Sequence, residues 1–212
     1  SKTFQFTMPP AGTYVFVHAG PREMFFGTGM PHTPNFRPMI GLTGAVISRP
    51  ASGAQVLYDG GPAYDREALL VYEDTDDRWN EVMVHGFNGP RSSYHPNYFT
   101  VNGIAFPDTA SHPDTNVTGN LGDRVLVRLA NVGRMRQSIH FHGFHAAIAT
   151  RNNIPETILP EKDTIPVPTL TTTDVIFEAN QTGIYPLHPH SLTAVTANGL
   201  YPNGQLALIS IS

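Results

Sequence analysis

The sequence predicts an all-β fold, an antiparallel β-sandwich, on three observations. Nineteen glycines and nineteen prolines in 212 residues call for many turns, which suits short strands better than long helices. Several segments rich in branched and aromatic residues alternate with a period of two, and none of these carries the helical period. The apolar fraction of 40% beside only 14% charged residues fits a chain that buries a core rather than a disordered one.

Taken in order, Thr3–Thr7 alternates as a strand, Pro9-Pro-Ala-Gly12 turns, and Thr13–His18 forms the next strand. Ile40–Ser48 reads as a third. Residues 20–38 between them, rich in Gly, Pro, Met and Phe, have no clear period and read as a long irregular loop. Methionine sulfur binds Cu(I), but Met24, Met30 and Met39 show no tight spacing, and ordinary packing is the preferred reading. Pro50–Ala54 reads as a linker, after which Arg66–Glu73 opens a second unit. The acidic run with Glu73, Asp74, Asp76 and Asp77 is expected as a solvated turn, since no Gly-centred calcium-loop rhythm follows. His85, His95 and His112 are isolated among loop residues. From Val117 the alternation is clean, with Val125, Val127 and Leu129 on one face and Arg124, Leu126 and Arg128 on the other. Val175–Glu178, Gly183–His188 and Gln205–Ile211 supply further strands. The expected core contains Val125, Val127, Leu129, Phe177 and Leu208 or their strand neighbours.

The net charge of −4 gives no electrostatic basis for binding nucleic acid. No apolar run approaches the length of a membrane span. The absence of cysteine excludes disulfides and thiolate metal ligands and leaves the redox compartment open.

Two short runs carry the candidate chemistry. Gln137-Ser-Ile-His-Phe-His-Gly-Phe-His145 and Tyr185-Pro-Leu-His-Pro-His190 each hold a His-x-His pair, His140/His142 and His188/His190. Residues two apart on a strand face the same way, so each pair offers two imidazoles to one side of a sheet. If the two strands are neighbours, all four are expected to converge on one metal ion. Neutral imidazole suits copper, zinc, iron or nickel, and the residues alone permit zinc as readily as copper. A hydrolytic zinc site is the weaker idea, because no positioned carboxylate base accompanies the histidines. The competing view makes all four ordinary polar residues of a structural sheet.

Ile139-His-Phe-His-Gly143 resembles the His-x-His-Gly signature in the last domain of multicopper oxidases, the cupredoxin family that includes laccases. Gly122–Gly133 is similar to the strand leading into that signature, and Tyr98-Phe-Thr-Val-Asn-Gly-Ile-Ala-Phe-Pro-Asp108 to the family's entry strand. The motifs span residues 65–212 in the family's order. Gly12-Thr-Tyr followed by Gly41-Leu-Thr-Gly-Ala-Val-Ile47 resembles the final strands of an earlier cupredoxin domain. The resemblance therefore implies residues 1–50 as the end of an incomplete first domain, 51–64 as a linker, and 65–212 as a whole cupredoxin domain, an antiparallel Greek-key β-sandwich. It implies copper, bound by the two pairs as half of the family's oxygen-reducing three-copper cluster, and an extracellular or periplasmic protein. The missing half then comes from another protein chain, from an oligomer, or from a segment that this sequence lacks. His18 is the one histidine in the first unit near the matched positions, off the His-x-His register.

The same resemblance implies that the blue-copper centre is absent. Its first histidine aligns with Gln137, its cysteine with Pro189, its second histidine with Thr193–Thr196, and its axial methionine with Gln205 or Leu206. Two functions remain in view: a copper-binding, multicopper-oxidase-like protein without blue copper, and a structural or assembly module whose metal site is vestigial.

Overall fold

A computed structural model describes residues 3, 5–17, 43–79, 93–158 and 160–212. His18, His85, Met24, Met30 and Met39 lie outside the described residues. No helix among those described is long and apolar enough to cross a membrane.

Fourteen strands are described: β1 (Gly12–Val17), β2 (Thr43–Ser48), β3 (Arg66–Thr75), β4 (Tyr98–Val101), β5 (Val117–Gly119), β6 (Arg124–Asn131), β7 (Gln137–Phe141), β8 (Ala146–Arg151), β9 (Ile154–Pro155), β10 (Glu161–Lys162), β11 (Thr164–Val167), β12 (Thr171–Glu178), β13 (Gly183–Pro189) and β14 (Ala207–Ile211). One sheet runs β10-β8-β12-β6-β3-β4 with β9 on β8, the other β11-β7-β13-β14-β5. This is the expected β-sandwich, with one difference. β3 pairs with β6, and β14 with β5, in parallel. Parallel neighbours need a crossover rather than a hairpin, and between β3 and β6 the chain crosses to the opposite sheet to form β5.

The core lies between the sheets. Val125, Val127, Leu129 and Phe177 meet Ile139, Phe141, Leu187 and Ile209 there, all fully or nearly fully buried. On β14 the inward positions are Ala207 and Ile209, and Leu208 points to the half-buried outer side. Ile148 is fully enclosed in this cluster, so Ile148→Val removes one buried methyl group. It is expected to lower stability by about 0.5–1.5 kcal/mol, read as a shifted urea midpoint at unchanged slope.

The outer face of the larger sheet is covered as well. Residues 51–64 bring Leu57 and Tyr64 onto Leu126, Ala149 and Ile176 in a second apolar cluster. Beside it lies the β1–β2 ladder, where Thr13 N–H donates to Asn153 Oδ1 at 2.7 Å and Thr172 Oγ1 donates to the Thr13 carbonyl at 3.0 Å. Two sequence expectations are corrected. The described residues of the Thr3–Thr7 run are exposed and form no strand, because no neighbouring strand pairs with them. The acidic run is not a solvated turn: Asp74 and Asp76 are each 1% exposed. Asp74 accepts hydrogen bonds from Tyr94 Oη and Met135 N, and Asp76 from the Arg78 guanidinium and His95 N. Those donors satisfy carboxylates that would otherwise be costly to bury.

Candidate metal centre

The strand that carries the first histidine pair buries Gln137, Ile139 and Phe141 and turns Ser138 and His140 outward. β13 does the same with Leu187 and Pro189 inward and His188 outward. The two strands are antiparallel neighbours, with His188 directly opposite His140. The pairing continues past the strand ends through His142 N–H to the Pro186 carbonyl at 3.1 Å and His190 N–H to the Ser138 carbonyl at 2.7 Å. The outward face is therefore a small grid of Ser138, His140 and His142 alongside Pro186, His188 and His190. On the other flank Thr164 of β11 stands opposite His140.

All four predicted imidazoles come together on this grid. The His140 ring centroid lies 4.6 Å from that of His142 and 5.9 Å from those of His188 and His190, and the His142 and His188 centroids are 5.2 Å apart. Direct nitrogen contact is made by one pair, His142 Nε2 and His188 Nε2 at 3.1 Å. Two nitrogens bound to one tetrahedral ion at about 2.0–2.1 Å would stand about 3.3–3.4 Å apart, so this pair sits close to a chelating separation. The four nitrogens do not all close on one point: among the described residues no three His, Asp or Glu side chains are placed to hold a single ion. His145, one strand position out of phase, is exposed and joins none of these ring contacts. Gly143 explains the change of course. Its φ is +80°, and a Cβ there would meet the Tyr185 ring at 2.5 Å, so only glycine lets the chain leave the strand directly after His142.

Hydrogen bonds fix which nitrogens are free. His188 Nδ1 is 2.9 Å from the Pro189 carbonyl, and His140 Nδ1 is 3.2 Å from the Asp163 carbonyl and 3.2 Å from Thr164 Oγ1. A carbonyl only accepts, so both Nδ1 atoms donate, and in the neutral form of each ring the lone pair is on Nε2. His142 Nε2–H then donates to His188 Nε2. An ion between them would take the place of that hydrogen, with the His142 proton moving to Nδ1. Burial holds the His142 pKa below the usual imidazole range, helped by the charges that His140 and His188 would carry. The shift favours the neutral form, the one that can act as a ligand. The donor set is all imidazole, with the Nδ1 atoms of His140 and His188 supported by carbonyl and hydroxyl oxygens, and this chemistry fits copper or zinc.

The positions aligned with blue-copper ligands form a different environment. Gln137 and Gln205 are fully buried amides, and Gln205 Nε2 donates to the carbonyls of Glu73 at 2.8 Å and Thr100 at 3.2 Å. Pro189 points inward from β13. An amide tied to backbone carbonyls and a proline ring replace the soft sulfur donors that such a centre uses.

The sequence reading missed the neighbours of His190. Arg136, Ser138, Thr164 and Ser191 line a cleft with it. The available signal was the period of two, which puts Ser138 on the same face as His140 and His142.

A family model described as multicopper oxidase matches residues 81–203, more than half of the 212 residues. No curated protein matches the chain by sequence. Among solved structures, the blue copper oxidase from Nitrosomonas europaea superposes with a TM-score of 0.75 at 21% identity, covering 97% of this chain and 57% of that one. Copper nitrite reductase from the same organism gives 0.69 at 16% identity, covering 100% and 66%. The laccase from Botrytis aclada gives 0.63 at 18% identity, covering 95% and 35%. At these identities the likeness establishes the cupredoxin-like β-sandwich, and the chain spans little more than half the length of the blue copper oxidase. With this family model matched over residues 81–203, the chain belongs to the multicopper oxidase family.

Proposed function

We propose that this protein binds copper through His140, His142, His188 and His190, as a multicopper-oxidase-like protein that retains an oxygen-cluster type of site and has no blue-copper centre. The observation that supports this most is the 3.1 Å approach of His142 Nε2 to His188 Nε2, with His188 Nδ1 engaged by the Pro189 carbonyl. These two imidazoles make one seat. His140 and His190 flank it and contribute to seats whose remaining ligands come from a partner chain or from a further segment. Zinc fits the same donors and is the second choice. Copper, when bound, supplies Lewis acidity and one-electron redox chemistry. The strand register orients the imidazoles, and the backbone hydrogen bonds hold the Nδ1 protons of His140 and His188 away from the ion. The resemblance supports an extracellular or periplasmic setting.

Metal analysis of protein purified without added metal, followed by copper and zinc titration, tests the reading. Retained or stoichiometrically bound copper is expected. No intense blue-copper band should accompany it, because Pro189 stands where a thiolate would be. A chain that arrives without metal and takes up neither ion overturns the proposal. The second reading, a structural or assembly module with a vestigial site, then stands. It is favoured by the buried glutamines and proline at the blue-copper positions.

A further inference from the structure

The cleft beside His190 has a chemistry of its own. It measures about 360 Å³ and is lined by Arg136, Ser138, Thr164, His190 and Ser191. Its polar groups are a guanidinium, three hydroxyls and an imidazole, with no carboxylate among them. Thr164 Oγ1 is engaged with His140 Nδ1. The Arg136 guanidinium forms no ion pair among the described residues. The sheet fixes this convergence: Ser138 faces outward from β7 next to His190, whose N–H bonds the Ser138 carbonyl, and Ser191 follows directly in sequence. A permanently charged planar donor beside hydroxyls suits an oxyanion or carboxylate, which accepts several such bonds at once.

We propose that this cleft is an oxyanion subsite, which seats an inorganic oxyanion or the carboxylate of a small organic acid against the imidazole cluster. Arg136 is the main anchor, Ser138 and Ser191 donate from the sides, and the His190 ring forms the wall shared with the metal site. The inference deepens the copper reading, since an anion seated there lies next to the proposed metal ligands. The cleft itself consists of this chain's own donors and does not need the metal to be formed.

The test titrates inorganic phosphate, and separately acetate, into the metal-free parent protein while following backbone amide signals by NMR. Saturable shifts are expected at residues 136–138 and 190–191. Arg136→Gln should weaken binding about tenfold or more, as loss of a charge-assisted hydrogen bond implies, and Ser191→Ala should weaken it less. Arg124→Gln, an exposed arginine elsewhere, should leave binding unchanged. Binding of phosphate alone assigns a tetrahedral inorganic anion, and binding of acetate alone assigns a carboxylate. Absence of saturable shifts with both probes, or parent-like affinity in Arg136→Gln, overturns the subsite. Copper stoichiometry is measured on separate samples. Phosphate binding without copper uptake therefore sinks the metal reading alone, and copper uptake without anion binding sinks the subsite alone.

Discussion

Arg128→Met is expected to destabilise the protein by about 3–5 kcal/mol, the usual cost of removing one partner from a buried ion pair. Arg128 is fully buried in the middle of β6. Its Nε donates to Glu67 Oε1 at 2.5 Å and its Nη1 to Thr13 Oγ1 at 2.8 Å, with Asp174 Oδ2 at 3.9 Å. Glu67 keeps a second cation in Arg49 at 2.5 Å, so it is not stranded by the substitution. Asp174 is stranded: it is fully buried and would be left with only the hydroxyls of Thr13 and Thr150. Burial already raises its pKa against the pull of Arg128, and losing the cation raises it further. A carboxyl with a raised folded pKa holds its proton more tightly folded than unfolded. Its contribution therefore favours folding at low pH and is lost as pH rises through the folded value. The deficit of Arg128→Met should accordingly shrink on acidification. Urea unfolding at neutral and mildly acidic pH checks both parts. A neutral-pH loss within the roughly 0.5 kcal/mol of ordinary surface substitutions would show that Asp174 does not depend on Arg128.

The same network marks where sequence reasoning stopped. The alternation of β6 places Arg128 off the core face, as the sequence implied, but off the core face did not mean solvated. The β1–β2 ladder and residues 51–64 cover that side, and their contacts join residues 115 and 161 positions apart. No local pattern reports such pairings. Asp74 and Asp76 are buried for the same reason: apart from the local Arg78 on Asp76, their donors Tyr94, His95 and Met135 come from loops 19 to 61 residues away. By contrast, the core of β6 and the His-x-His faces of β7 and β13 were legible because they follow from the period of two alone. Register decided the rest. Alternation fixed which way each imidazole points, but the pairing of His140 with His188 and the turn at Gly143 determine which nitrogens meet. The four rings lie near one another but do not close on one ion as alternation alone led one to expect, and nitrogen contact is left to His142 and His188.

That division of the cluster makes the double variant His142→Ala, His190→Ala the most informative change at the site. One histidine is taken from each His-x-His pair. The first removal leaves His188 Nε2 without its neighbour at 3.1 Å, and the second opens the seat flanked by His140. Copper uptake under conditions that saturate the parent is expected to vanish. The fall in affinity should exceed the about 10–100-fold that follows when only a supporting second-shell partner is removed. Stability should change little, because His190 is exposed and His142 half-buried, while Ile139, Phe141, Leu187 and Pro189 keep the inner faces of both strands filled. His145→Ala serves as the matched control. It removes an exposed imidazole three residues from His142 that takes no part in the ring contacts, and it should bind copper as the parent does. Equal copper stoichiometry in the double variant and the parent would place the ion elsewhere on the chain. Loss of copper in both the double variant and the His145→Ala control would indicate nonspecific surface imidazole binding rather than a seat set by the register of β7 and β13.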